Sequence, residues 1–537
     1  MKKLLLILWV CSISFSIQLK AQAVYENHHA EIYNYLARMA QKGIIDFEDH
    51  IRPLSRNYLS DCLDSVASKK SELSQIEKQE LAFYIQEYAT VKANNPLNTH
   101  QVQFFKKDLA GRWRSMYAKN AIASIYLDPV FSGSVVEGPS QSYNQVSSGL
   151  HFFGTAGKHI GFNFFFNDVT LQGKGYDTTR INSPETGFVR KDTSKSKSLN
   201  FAEFRGSINY SFKNGSISFG QDHLLYGYGE NGRVVLSDKA PNFPFLRFDY
   251  SPFSWLRFNN THAWLNSKII DSSKTYGTGN ELFGGERQIF RPKFMAMHSV
   301  LVKLTKGLDV SAGESVIYSD RLDIGYLIPV MFFKVYDNIV NNSHIQAGSN
   351  SQLFLNVSSR NQLKNTHLYT SVFIDEIRVA AMFDKSKSRN QLGYTVGGSI
   401  TDFPINYLSF NAEYTHINPF VYNNLIPAQT YTNQGYVMGD WMGNNADRLL
   451  FAVKYNPIAK LKCMIRYQAL RKGSGGNLVD QYLQEPQPAF LYGNQTSKNE
   501  LYMSARYELI NGLVINGWYS KWNTTSASYS LGMSYGF

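Results

Sequence analysis

The final eleven residues, ASYSLGMSYGF, constrain the fold more than any other stretch. Ala527, Tyr529, Leu531, Met533, Tyr535 and Phe537 occupy one face of an extended strand. Ser528, Ser530, Gly532, Ser534 and Gly536 occupy the other. The period of two recurs at Phe162, Phe164 and Phe166, and again at Leu501, Met503, Ala505, Tyr507 and Leu509. In the last run Tyr502, Ser504, Arg506 and Glu508 take the opposite face, which suits a wall between lipid and a wet interior. Composition agrees: 34 Tyr and 36 Phe accompany only 18% charged residues, and the mean hydropathy is still −0.29. Beyond the N-terminus no apolar run reaches the ~18 residues of a helical span. An unpaired backbone group in hydrocarbon costs several kcal/mol, so a sheet in a membrane must close on itself. Residues 112–537 therefore read as an all-β transmembrane barrel of roughly 16–20 antiparallel strands.

The first 23 residues read as a secretory leader, with Lys2 and Lys3 before an apolar stretch and Ala21-Gln22-Ala23 as the cleavage signature. Residues 24–92 switch to a helical period. Ile32, Tyr35, Leu36 and Met39 form a stripe closed by Gly43, and Leu59, Cys62, Leu63 and Val66 form another that Ser55 can cap. Leu81, Tyr84, Ile85 and Tyr88 form a third, after the capping box Ser74-x-x-Glu77. Residues 93–111 read as a linker. Cys62 and Cys463 are isolated, so no disulfide framework is expected.

Short turns mark one side of a barrel and long loops the other. Asn511-Gly512 and Lys213-Asn214-Gly215 are tight hairpin signals. They place the C-terminus on the periplasmic side, which with a periplasmic helical module requires an even strand number. On this reading the terminal strand, ending at Phe537, is the handle for the barrel-assembly machinery. Lipid and lipopolysaccharide are the expected surroundings, and residues 24–92 could dock a periplasmic protein partner.

One motif, taken alone, is at odds with a barrel. Gly227-x-Gly229-x-x-Gly232 has the spacing of a dinucleotide-binding loop. A strand precedes it, but β-branched "RVVLS" and then Pro241 and Pro244 follow, with no helix whose N-terminus could hold phosphate. The glycines and prolines instead suit a loop that turns tightly in the outward half of the barrel and plugs its mouth. No cofactor and no nucleic-acid partner is expected.

Four stretches follow in order along the chain: "GQDHLLYGYGENGRVVLSDKAPNFPFLRF", "GESVIYSDRLDIGYLIPVMFF" followed by "DNIVNN", "HLYTSVFIDEI", and "YTHINPFVYN" with "YVMGDWMGNNADRL". Together they resemble the Wzi family of outer-membrane capsule-assembly proteins. The N-terminal "LARMAQKGIIDFEDHIRPLS" also looks like that family's helical module. The resemblance implies a barrel of about 18 strands with a periplasmic helical module, acting as a non-enzymatic surface lectin for capsular or exopolysaccharide. Asp440-Trp441 stands where a His-containing glycine turn is usual, and Asp238-Lys239 where an amide pair is common. These departures bear on which glycan is bound more than on the fold.

Aromatic faces and planar polar groups suit a pyranose. That nominates Tyr226, Tyr228, Glu230, Asn231, Arg233, Asp238 and Arg247 in one segment, and Tyr422, Asp440, Trp441 and Asn444 in another. The competing reading of the first segment is a plug. Tyr431 and Asn433 accompany the second, for which an aromatic girdle at the membrane interface competes. Glu314, Tyr318, Asp320, Arg321 and Asp323 form a third polar cluster, more readily a charged ladder in a wet lumen than a glycosidase pair. Asp375-Glu376 is read the same way. No HExxH, Walker A or Cys/His spacing points to a metal. The formal charge of +12 falls to +9 without Lys2, Lys3 and Lys20. It suits acidic sugars or lipopolysaccharide phosphates, and equally no specific partner. Three alternatives stay open: a porin-like channel, a structural accessory of a secretion, adhesion or gliding-motility machine, and an envelope hydrolase.

Overall fold

The computed structural model describes residues 24–92, 101–120, 122–176, 198–281, 284–341, 348–376, 383–384, 387, 390–476, 478 and 486–536. The leader, most of the stretch between module and barrel, and Phe537 lie outside them. Among the described residues twenty strands belong to one antiparallel sheet, and eighteen of these, starting with Ala123–Gly138, close a barrel. The seam joins first to last, with Tyr529 opposite Glu137 and Tyr535 opposite Phe131.

The remaining two strands, Gln101–Lys107 and Trp113–Lys119, form a hairpin that continues the seam where the last strand stops. Met116 to Lys119 pair with Leu127 to Ser124. The sheet thus begins at Gln101, inside the stretch read as a linker. Alternation fails to mark this strand because Phe104 and Phe105 are adjacent and Phe105, at φ 50°, leaves the ladder between Phe104 and Lys106.

In the last barrel strand, Ser528–Tyr535, Tyr529, Leu531 and Met533 are more than half exposed on the outer wall while Ser530 is buried. Lys213-Asn214 and Asn511-Gly512 are tight connections as read, with Asn214 at φ 64° and Gly512 at φ 80°. In the left-handed region these positions give the twist that tight hairpins need.

The module holds four helices: α1 (Ile32–Gln41), α2 (Arg56–Ala67), α3 (Gln75–Glu87) and the short α4 (Ala89–Lys92). Gly43 follows the first helix at φ 74°, the Ser55 side chain accepts from the Tyr58 amide, and the Ser74–Glu77 capping box is formed in both directions. Ile85 departs from the apolar stripe and is exposed.

The module stoppers the short-turn end of the barrel. Glu31 accepts from Lys462 Nζ at 3.0 Å and Arg506 at 3.2 Å. Gln41 donates to the Asn365 and Ser399 carbonyls at 2.8 and 2.9 Å. Lys42 meets Asp402 at 2.9 Å.

His50 is buried in this joint with neither ring nitrogen hydrogen-bonded. Burial, then the nearby Arg257, pushes its pKa from 6.5 down to about 3. The folded protein therefore takes up this proton later than the unfolded chain. The contribution to stability is complete above pH 6.5 and is lost progressively as pH falls towards 3. We expect the thermal unfolding midpoint to fall over that window and His50→Gln to flatten the decline. An identical slope in the variant would remove His50 as its source.

Candidate functional site

The segment after strand Gly215–Asp222 turns into the lumen and runs deep. Tyr226 pairs with Ile51 of the module, and the Gly227 amide donates to the His50 carbonyl at 2.9 Å. The GxGxxG stretch thus folds into the lumen and reaches the module end, deeper than the outward half expected from the sequence. Its glycines are required by close approach. A Cβ on Gly232, at φ 146°, would overlap the Asp440 carboxylate, and one on Gly229 would overlap the Gly232 carbonyl oxygen.

A second segment, 418–445, folds in from the opposite wall. Tyr422 Oη donates to the Val234 carbonyl at 2.7 Å, Tyr431 Oη to Val235 at 2.9 Å, and Trp441 Nε1 to Asn231 at 2.6 Å. Asn433 donates to the Pro241 carbonyl at 3.0 Å. The two clusters that looked separate in sequence are one plug. Its core joins Val234, Val235 and Leu236 to Tyr422 and Tyr431, and to lumen-facing Phe245, Met295, Ile317 and Phe373.

A fully buried ion network fixes the plug to the wall. Arg448 Nη2 lies 3.0 Å from Asp440 and 3.4 Å from Glu413, and Nη1 donates to the Asn231 carbonyl at 3.1 Å. Glu413 also accepts from the Glu230 amide and from Tyr369 Oη, both at 2.8 Å.

Of the eleven residues nominated for glycan contact, nine are buried. Tyr228 meets His367 edge-on and Tyr369 at a tilt, and Glu230 pairs with Lys454 at 2.5 Å beside an internal cavity. Burial lowers the Arg233 pKa to about 10, with Arg52 adding to it. Arg247 donates to the module's Pro53 carbonyl at 3.1 Å. Asn444 bonds Asn423 at 2.8 Å inside the plug. Asp238 meets His29 at 3.0 Å. Burial alone would raise Asp238, but Lys239 and the two histidines hold it well below the usual carboxylate range. Trp441 is half-buried. Glu230 and Trp441 apart, these positions are buried in the plug and in its joint with the module.

The third cluster corrects a second expectation. Glu314 and Tyr318 share parity with Ala312, which is exposed on the outer wall, while Ser315 and Ile317 face the lumen. Glu314 therefore belongs to the outer face, paired with His298 at 3.2 Å. It is covered there by a helix, α5 (Phe333–Asn341), whose first amide donates to Glu314 at 2.6 Å. Phe333 packs on Phe294, Ala296, Val316 and Tyr318. Asp323 accepts from the Gly325 amide at 2.9 Å, and Asp375 from the Tyr422 amide at 2.6 Å. These carboxylates hold backbone in place.

A family model described as Capsule assembly protein Wzi matches residues 99–525. Among solved structures the chain is similar to Escherichia coli Wzi, described as an outer-membrane protein involved in group 1 capsule assembly and a carbohydrate-binding β-barrel. Identity is 12%, the match covers 96% of this chain and 100% of that chain, and the TM-score is 0.59. OccAB2 of Acinetobacter baumannii matches at 11% identity, over 77% of this chain and 97% of that one, with a TM-score of 0.42. OccK3 (OpdO) of Pseudomonas aeruginosa matches at 13%, over 76% and 95%, with a TM-score of 0.41. Comparison with curated protein sequences gave no match.

Proposed function

The chain belongs to the capsule assembly protein Wzi family, and on that premise we propose that this outer-membrane barrel binds and anchors surface polysaccharide without turning it over. Family membership carries the reading. The plug supports it by opposing a steady diffusion channel: apolar side chains from two loops and the wall meet across the lumen. The carboxylates that could suggest hydrolysis are engaged by backbone amides or by arginine, which favours a binding role over a catalytic one.

Glycan contact then falls to the outward rim. Tyr276 and Tyr492 are about half exposed there, Arg471 is exposed on the outer face beside Asp447, and Trp441 is half-buried where its indole meets Asn231 of the plug. Exposed aromatic faces with a basic neighbour suit an acidic polysaccharide. The remaining partners of this reading are lipid against the exposed apolar outer wall and the assembly machinery at the last strand.

Purified barrel should retain the polysaccharide of its own strain. Tyr492→Ala and Trp441→Ala should each weaken binding about tenfold, the effect of a dominant contact. Unchanged capsule retention in cells lacking the protein would sink the reading.

A further inference from the structure

The joint between module and plug brings together three side chains that no local spacing reveals. His28 and His29 lie just before α1, and Asp238 lies on the plug. One ligand atom from each falls within 4.8 Å of the other two. His28 Nε2 and His29 Nε2 approach the same carboxylate oxygen, Asp238 Oδ2, at 3.7 and 3.0 Å. Ligand atoms about 2.0–2.1 Å from a tetrahedral zinc ion stand roughly 3.3–3.5 Å apart, within the span of these two separations.

His28 supplies a second observation. It is 2% exposed, yet neither ring nitrogen has a hydrogen-bond partner. A buried polar group left this way is destabilising unless something occupies it. Lys239 lies 3.4 Å from the other oxygen, Oδ1, so Oδ2 is left to the imidazoles. The His223 ring is 5.3 Å from that of His28, close enough to approach as a fourth group. His29 is half exposed to a cavity of about 600 Å³ between module, plug and wall, which gives an ion a route in.

The geometry points to a divalent transition-metal site of the zinc type, with His28, His29 and Asp238 as ligands, that ties the N-terminal module to the plug. Imidazole and carboxylate oxygen are the donor set that zinc accepts, and three protein ligands leave one position open. The ligands come from segments about two hundred residues apart, so the absence of a metal motif in the sequence says nothing against them. The site does not depend on how polysaccharide is bound.

The test uses the full barrel in detergent, without a histidine tag and stripped by chelator, then dialysed against Zn²⁺. One equivalent should bind and raise the thermal midpoint. Co²⁺ should give the intense visible band of four-coordinate geometry. His29→Ala and Asp238→Asn should each weaken binding more than about 100-fold, since even outer-sphere partners are worth ~10–100-fold. Asp238→Asn keeps the side-chain shape and covers the case in which His29→Ala loosens docking. His159→Ala, in a distant turn, should bind as the parent does. Equal zinc content in parent and both ligand variants, or only the weak spectrum of hydrated Co²⁺, would overturn the assignment.

Discussion

Replacing Arg448 with methionine is expected to open the barrel without unfolding it. Arg448 is fully buried and is the cation shared by Asp440 and Glu413. Its removal leaves two carboxylates out of water with their charges uncompensated, at a cost of about 3–5 kcal/mol. Asp440 would keep the Met442 amide at 3.0 Å, and Glu413 would keep Glu230 and Tyr369, so neither becomes wholly unsatisfied. The loss falls on the plug because Asp440 and the Asn231 carbonyl belong to it. The wall keeps its ladder, in which Arg448 pairs with Thr415 and Leu470 through the backbone. Arg448→Met should therefore raise single-molecule conductance in planar bilayers and expose residues 223–242 to protease. Heat-dependent gel mobility, a property of the barrel, should stay as it is. Neutralising all three groups, with Asp440→Asn and Glu413→Gln added, should restore closure, since removing a whole buried network costs far less than breaking it. A single variant as closed and as resistant as the parent would refute this role.

Much of the architecture is legible from short-range pattern. Strand alternation, the Asn-Gly turns, the helix caps and the glycine stop at Gly43 are all set within a few residues, where sterics and hydrogen bonding leave few options. The plug is legible only in part. Glycines and prolines mark 226–244 as a constrained loop, but nothing in the sequence shows that Gly227 meets His50 or that Trp441 meets Asn231. Such pairs are far apart along the chain, and their register is decided by the closed barrel around them.

The third cluster fails for a more instructive reason. Alternation in a barrel assigns polar residues to the lumen on the assumption that the lumen is wet and the outer wall bare. Around Leu308–Ser319 both assumptions reverse. The lumen here is filled by an apolar plug, so Met295, Met297 and Ile317 point inward. The outer wall is shielded by α5, so His298, Glu314 and Tyr318 can point outward. The period of two is kept while its meaning inverts. The helix explains its own exposed residues as well: Val335 and Ile339 face away from the barrel and are more than half exposed.

The second large effect is expected at the other end of the lumen, from Arg360→Ala. Arg360 closes strand Asn350–Arg360 and donates to Asp49 of the module at 2.5 Å and to the Phe47 carbonyl. Both charged groups are buried. Burial would raise Asp49, yet Arg360 and then Arg52 hold it far below the usual carboxylate range. A depressed carboxylate stabilises the docked state fully above its unfolded value near pH 3.8. That contribution is lost as pH falls below this value towards the depressed one. At neutral pH the pair is therefore fully engaged, and losing Arg360 strands a buried charge with only Arg52, at 2.6 Å, to compensate. A cost of about 3 kcal/mol raises the undocked population roughly a hundredfold. Cys62 reports it: the thiol is 6% exposed in the module core, with Arg257 and Lys303 of the barrel close enough to act on it, and burial pushes its pKa up to about 12. In a Cys463→Ser background, Arg360→Ala should accelerate alkylation of Cys62 by about that factor. Acidification below pH 4 should loosen the parent more than the variant, because only the parent has this contact left to lose. If Cys62 reacts equally slowly in both proteins, the module is held by Glu31, Lys42 and Gln41 and not by the arginine clamp.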